Sequence, residues 1–392
     1  RLHRYEEAER ELDRAEELAE LDGSIATRAR LDALSAWCRD LRGDPQGAAR
    51  EMDEILRTRA DELAFLERRL SFEQHTWNWA LRGHSERALE WYERWEERNY
   101  PASEDGAEDS SVVPAAIYAT ALVQARFVGR DELAERLTRR LRESARLHEN
   151  PYLEKVYRHT MLADAALTAK PNAEIDRAIE RRRDLGVAPK KEPLWGREFF
   201  VYQAYARWHQ AAHVEEGSRE ERLQQLEEAV AELEEAAEGH PTLSSHARVT
   251  RAGWTLMAGR ENEAGHCLAD AERLARQTDN RWVLCYVHRV RARLLDETSL
   301  PVSERVHARE AVRIAGENGW APHAARLRRM FELESPSVSR PSVPSRSSAA
   351  GTDDGRSQLK RQLDALVDVT LSTGSVLDPE EASRMALDAA IR

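Results

Sequence analysis

Arg4-Tyr5-Glu6-Glu7-Ala8-Glu9-Arg10-Glu11-Leu12-Asp13-Arg14-Ala15 is charged at most positions, with small or apolar residues at Ala8, Leu12 and Ala15. A stripe at i, i+4 and i+7 marks one face of an amphipathic helix. The stripe returns at Ala48, Met52, Ile55, at Ala88, Tyr92, Trp95 and at Ala134, Thr138, Leu141. Later copies stand at Ala264, Leu268, Ala271 and at Ala308, Val312, Ala315. In four copies a Gly lies five residues before the Ala: Gly43, Gly83, Gly129 and Gly259. Ala8 to Ala48 is 40 residues, Ala48 to Ala88 is 40, and Ala88 to Ala134 is 46. One helix pair cannot bury its apolar face alone, so such a period predicts a stack of pairs.

The expected fold is all-α, an α-α superhelix of about eight helix pairs over residues 1–333. Between the members of a pair, Gly supplies a left-handed backbone conformation without steric cost, and the small residue five positions on lets the helices approach. Ser24 should cap a helix running to about Arg42, and its partner should run, with a bend, to about Arg69. Leu70–Leu81 and Ser85–Arg98 form the clearest pair, hinged at Gly83. Trp79, Trp91 and Trp95 are expected in the core. The pairs are expected in linear succession, each covering the apolar side of the next.

Composition supports helices over sheets. The chain has 392 residues, 33% of them charged and 6% aromatic, and Val/Ile/Thr alternation is scarce. A net charge of −12 with acids and bases interspersed argues against a nucleic-acid binder, which needs a concentrated basic face. Cys38, Cys267 and Cys285 are an odd, widely spaced set, so they read as small buried residues rather than a disulfide framework or zinc ribbon. No N-terminal signal and no run of 18 apolar residues is present, which predicts a soluble, cytoplasmic chain without a membrane partner. Starting on Arg1 inside a helix and stopping at Ile391-Arg392 inside an amphipathic pattern, both ends read as cut from a longer protein.

Gly83, Ala88, Tyr92 and Trp95, with Phe72, Thr76 and Trp79 on the preceding helix, resemble the turn and second helix of tetratricopeptide repeats. The repeat length here is longer than is usual in that family. The likeness is greatest to the degenerate repeats in the middle of large bacterial regulators, behind a nucleotide-binding module. It implies a parent that joins a Ser/Thr kinase, a nucleotide-binding module, the repeat array, a GAF domain and a histidine kinase.

Beyond Glu334 the composition changes to Ser, Pro, Arg and Gly, so residues 334–356 read as a disordered linker. Leu359, Leu363 and Leu366 make a short coiled-coil seam within a signalling helix at 357–374, a possible dimer contact. The stretch Val376-Leu377-Asp378-Pro379-Glu380-Glu381 resembles the first turn of a GAF domain, which 375–392 would begin.

No motif for catalysis emerges, and no cofactor is expected. His209-Gln210-Ala211-Ala212-His213 places two histidines at i and i+4, a weak metal pair. Gln210 stands where a zinc protease needs Glu, because an amide cannot take a proton from metal-bound water. Phosphate loops, nucleophile elbows and kinase catalytic loops are missing from the sequence.

What the resemblance offers instead is a surface. In that family the inner face of the first helices holds peptides, and aligning the hinges puts Trp37, Leu70, Glu73, Trp77, Val123, Arg126, Phe127, Leu256 and Met257 there. A helix or extended peptide, or the parent's own upstream domain, is the expected partner. The competing expectation is that most of these residues pack between repeats. The expected function is therefore non-catalytic interaction and signal relay within a larger signalling protein. The alternatives are a segment of a transcription regulator, a superhelix closing on a small molecule near Arg126 or His209, and a metalloenzyme at His209 and His213.

Overall fold

The computed structural model describes residues 2–99, 115–147, 156–158, 160–164, 172–183, 188–192, 194–213, 218–297 and 301–333. The chain divides into two compact units, Arg1–Ser335 and Pro336–Arg392, and all described residues belong to the first. The expected linker, signalling helix with its dimer contact, and GAF-like start lie outside the described residues, as does the expected loop at 102–111. Among the described residues there is no strand.

The helices are α1 Leu2–Asp22, α2 Ile25–Leu41, α3 Pro45–Thr58, α4 Phe65–Leu81, α5 Ser85–Asn99, α6 Ala115–Val128 and α7 Asp131–Leu147. After helical residues at 156–158 and 160–164 come α8 Asn172–Arg183, α9 Leu194–Ala212, α10 Arg219–Ala236 and α11 Pro241–Met257. The last are α12 Glu261–Gln277, α13 Arg281–Glu297, α14 Pro301–Glu317 and α15 Ala321–Met330. No described helix is long and apolar enough to cross a membrane.

The local signals work as sequence chemistry requires. Ser24 caps α2 by accepting a hydrogen bond from Thr27 N at 3.3 Å. Asp44 caps α3 through Gly47 N at 2.8 Å, with Pro45 in the first turn, where its missing N–H costs nothing. The repeated stripe is buried: Ala48, Met52, Ile55, Ala88, Tyr92, Trp95, Ala264, Leu268 and Ala271 all lie in the core. Thr138 and Val312 are half-buried, as are Leu12 and Ala15 of the opening copy. Trp91 and Trp95 are core as expected, whereas Trp79 is only half-buried, with Arg82 and Arg87 against its ring.

One boundary differs. The expected helix to Arg69 stops at Thr58, and a short 3-10 turn, Ala60–Glu62, separates it from α4. Ala60 and Leu63 are buried and pin the turn, and Glu67 then caps α4 by accepting from Ala64 N at 3.2 Å.

Linear succession does not describe the packing. Most helices pack on their chain neighbours, but α4 also meets α9, and α6 meets α15. The hinge glycines of the early pairs seat the starts of later helices. A Cβ on Gly43 (φ +96°) would lie 2.7 Å from Pro241 Cγ, and one on Gly83 (φ +81°) would lie 2.7 Å from Trp282 N and 2.8 Å from Trp320 Cζ2. Gly at these positions therefore serves both the backbone angle and a close approach across the fold. The polar groups agree: Leu81 O, at the end of α4, accepts from His246 Nε2 at 2.9 Å, and Arg82 O accepts from Arg281 N at 2.7 Å. Carbonyls orphaned at the end of α4 thus satisfy an N–H orphaned at the start of α13.

The hydrophobic core has two clusters. One joins α2 through α7. The other runs through the later helices and draws in Trp77, Leu81, Val123 and Phe127 from α4 and α6. The early inner face is therefore covered by the chain's own later helices.

Candidate functional site

The first helices of successive pairs turn one face to a common cavity of about 520 Å³. Trp37 comes from α2, Arg69, Leu70, Glu73, Gln74 and Trp77 from α4, and Ala116, Ala119, Thr120 and Val123 from α6. Val156 and Thr160, and Glu198 and Tyr202 on α9, complete it. Helical spacing explains the convergence: 69, 73, 77 and 116, 120, 123 each fall on one face. The volume lies within the range of small-molecule sites.

The cavity pairs apolar walls with a few charged groups held away from water. Arg69 Nε lies 3.4 Å from Glu73 Oε1, both side chains being 13% exposed. Arg69 Nε and Nη1 nonetheless make no hydrogen bond. Burial raises the Glu73 carboxyl to about 7, against the pull of Arg69. Burial also raises Glu198 to about 7, opposed by the hydrogen bond from the Tyr202 hydroxyl and by the neighbouring Trp77 indole. The indole N–H of Trp77 itself closes no hydrogen bond. Two carboxyls poised near neutrality at an apolar wall gain from a cation, which would stabilise their ionised forms.

Of the nine residues expected on the inner face, Trp37, Leu70, Glu73, Trp77 and Val123 line this cavity. The other four do not form a continuous groove with them. Arg126 and Phe127 line a second, small cavity, and Leu256 and Met257 a third. Trp77, Val123, Phe127 and Leu256 are buried and serve packing, and Leu70 is the one at the surface. Arg126 is held by Asp164 and Asp131, each at 2.8 Å.

His209 and His213 stack at 4.3 Å between ring centroids, and His213 Nδ1 donates to His209 O at 2.9 Å. Gln210 is buried, donating to Asp176 Oδ1 at 3.1 Å and accepting from Arg207 at 2.7 Å. Among the described residues no group of three or more His, Cys, Asp or Glu is arranged to hold a metal. The three cysteines are free; Cys285 is buried, while Cys38 and Cys267 are half-buried rather than core. Burial raises the Cys285 thiol to about 12, leaving it unreactive.

Sequence reasoning missed Arg69, Glu198 and Tyr202. Glu198 had a signal, standing with Arg197 directly before Phe199-Phe200-Val201-Tyr202 on a helix with few polar positions to spare for an exposed face. A buried polar network also went unread. His75 Nε2 lies 2.6 Å from Asp53 Oδ1, and Arg87 donates to Asp53 Oδ2 at 2.8 Å. Burial works to raise the Asp53 carboxyl, but His75 and Arg87 outweigh it and hold it at about 2. The Trp79 indole Nε1, not a nucleophile, lies 3.0 Å from the same His75 nitrogen, and the His75–Asp53 contact ties α4 to α3.

No protein-family model matches the chain, and neither the curated proteins nor the solved structures contain a match to it.

Proposed function

We propose that this chain is a non-catalytic recognition and relay segment of a larger cytoplasmic signalling protein, and that its recognition site is the cavity between α2, α4, α6 and α9. The observation that carries this reading is the convergence of five inner-face residues on one cavity, whose wall is closed by the later helix α9. Because early and late helices share the wall, occupancy favours the arrangement in which they are packed together, a coupling that a ligand with differential affinity can drive. The closed wall favours one apolar group over a long helix or strand. Glu73 and Glu198 favour a group ending in a cation, either a partner's basic side chain or a free aromatic amine.

Titration of the purified chain with tryptamine and with a short Trp/Arg-containing peptide tests this, read by Trp fluorescence and thermal stability. Ligand should raise the melting temperature, and Glu198→Gln with Glu73→Gln should weaken binding at least tenfold without changing the fold. Tighter binding of the peptide identifies a protein partner, and tighter binding of the amine a small-molecule signal. Unchanged affinity in the double variant would contradict the reading.

A further inference from the structure

A second cavity, of about 60 Å³, lies among α6, α9, α13 and α15. Its polar lining includes three arginines, Arg126, Arg289 and Arg326, and three histidines, His209, His213 and His323. Among the described residues no carboxylate lines it, in a chain of net charge −12. A third cavity, of about 270 Å³, is lined by Arg219, Arg289 and Arg293 beside the apolar Leu256 and Met257, again with no described carboxylate. Trp208 and Arg289 line both.

Helix geometry builds this cluster. His209 follows Tyr202 and Tyr205 at i+7 and i+4 on α9, Arg289 follows Trp282 and Tyr286 at i+7 and i+3 on α13, and Arg326 follows His323 at i+3 on α15. Arg126 is already neutralised by Asp131 and Asp164, but Arg289 lies over the rings of Trp208 (5.4 Å) and Tyr286 (5.2 Å), aromatic faces rather than a carboxylate. His323 stacks on Tyr286 at 5.5 Å, and its buried Nε2 has no hydrogen-bond partner. After burial, the charges that act on His209 and His323 are positive in every case: His213, Arg326 and Arg289 on the first, Arg289 and Arg326 on the second. Burial first, and these charges behind it, hold His209 at about 4 and His323 at about 3. Such a field is what an anion relieves.

We propose that this pair of cavities binds a small organic phosphate, its phosphoryl group among Arg289, Arg326, His209 and His323 and its apolar body beside Trp208, Leu256 and Met257. The size is consistent. A water needs about 10–15 Å³ of such space, so the smaller cavity has room for roughly four to six waters, or one five-atom phosphoryl group. Arginine suits the task because its planar fork offers paired N–H donors to phosphate oxygens. This cavity shares the Tyr202 wall with the carboxylate-lined one, but Glu73 and Glu198 do not line it, and the two favour opposite charges.

The test uses the full chain at constant ionic strength, titrated with phenyl phosphate, inorganic phosphate, phenol and, as an ionic control, chloride. Binding is read by calorimetry and by the histidine C–H resonances in NMR. Phenyl phosphate should bind at least tenfold more tightly than inorganic phosphate, phenol and chloride should not bind, and the His209 and His323 resonances should titrate at higher pH once it is bound. Arg289→Gln and, separately, the half-buried Arg326→Gln should each weaken phenyl phosphate at least tenfold, while Arg313→Gln, outside both cavities, should not. The proposal is overturned if the wild-type histidine resonances do not respond to phenyl phosphate. It is equally overturned if inorganic phosphate or chloride binds as tightly, or if both cavity variants retain wild-type affinity. The wild-type NMR readout does not depend on any variant folding.

Discussion

The indole N–H of Trp320 donates a 2.9 Å hydrogen bond to the hydroxyl of Ser85, 235 residues away in sequence. Ser85 in turn donates to Gln124 Oε1 at 2.6 Å, so one buried hydroxyl joins the start of α5, the body of α6 and the start of α15. Ser85→Ala strands both partners, and Trp320→Phe removes the donor. Each should cost about 1–3 kcal/mol in urea unfolding, with the double variant at least about 0.5 kcal/mol short of the sum. Strict additivity would show that the two residues do not meet.

The hinge glycines divide by what faces them. Gly83 and Gly259 both have positive φ, but a Cβ at Gly83 collides with Trp282 and Trp320, whereas at Gly259 it meets nothing within 4 Å. Gly259→Ala should cost about 1–2 kcal/mol, the backbone term alone. Gly83→Ala should cost at least about 2 kcal/mol more, in the range of overpacked cores. Chemical denaturation of the two variants side by side checks the difference.

Glu198 gives a pH signature. Its folded pKa lies above its unfolded one, at about 7, so its contribution to stability is complete below the ordinary carboxylate range and is lost as pH rises through 7. Glu198→Gln stays neutral. The variant should match the wild type at pH 4, below the unfolded carboxylate range, and be more stable at pH 8.5, by up to on the order of 3 kcal/mol. Thermal melts at the two pH values measure this.

The histidines act in the opposite direction. His209, His246, His288 and His307 are held at about 4, and His323 at about 3, by burial above all. Each is neutral when folded and takes up a proton on unfolding below pH 6.5, so stability falls as pH drops from 6.5 towards 4. Glu73 and Glu198 oppose this over part of the range, but they are two against five. The melting temperature should fall by about 5 °C or more between pH 7 and pH 5, and a flat profile would contradict the burial of these rings.

The helices were legible because their signal is local. A stripe with a 3.6-residue period, a Ser24 cap and a Gly hinge are each read within a dozen residues, and α5 ends within one residue of the Ser85–Arg98 span that pattern predicts. The return of the chain was not legible, because its contacts join residues about 200 positions apart, as Gly43 meets Pro241 and Gly83 meets Trp282. Pro241 and Pro322 look like ordinary first-turn prolines in sequence, and nothing local says that they rest on hinges. The cavity was half legible for the same reason. Trp37, Leu70, Glu73, Trp77 and Val123 follow from hinge alignment, whereas Glu198 and Tyr202 reach it only because α9 comes back across α4. The basic cluster at Arg289, Arg326 and His323 is assembled from separate helices and leaves no mark in the overall acidic charge.

The most direct test of the return is a distance between α5 and α14, measured by pulsed electron resonance between spin labels at Arg87→Cys and Glu317→Cys in a chain freed of its own cysteines. Glu86 lies against Gly319, and each intervening residue adds at most about 3.8 Å, so the two backbones should lie within about 20 Å. A stack that never turned back would advance about 8–10 Å with each successive pair and hold them about 40 Å apart or more. A short distance upholds the seating of late helices on early hinges, and the long one would contradict it.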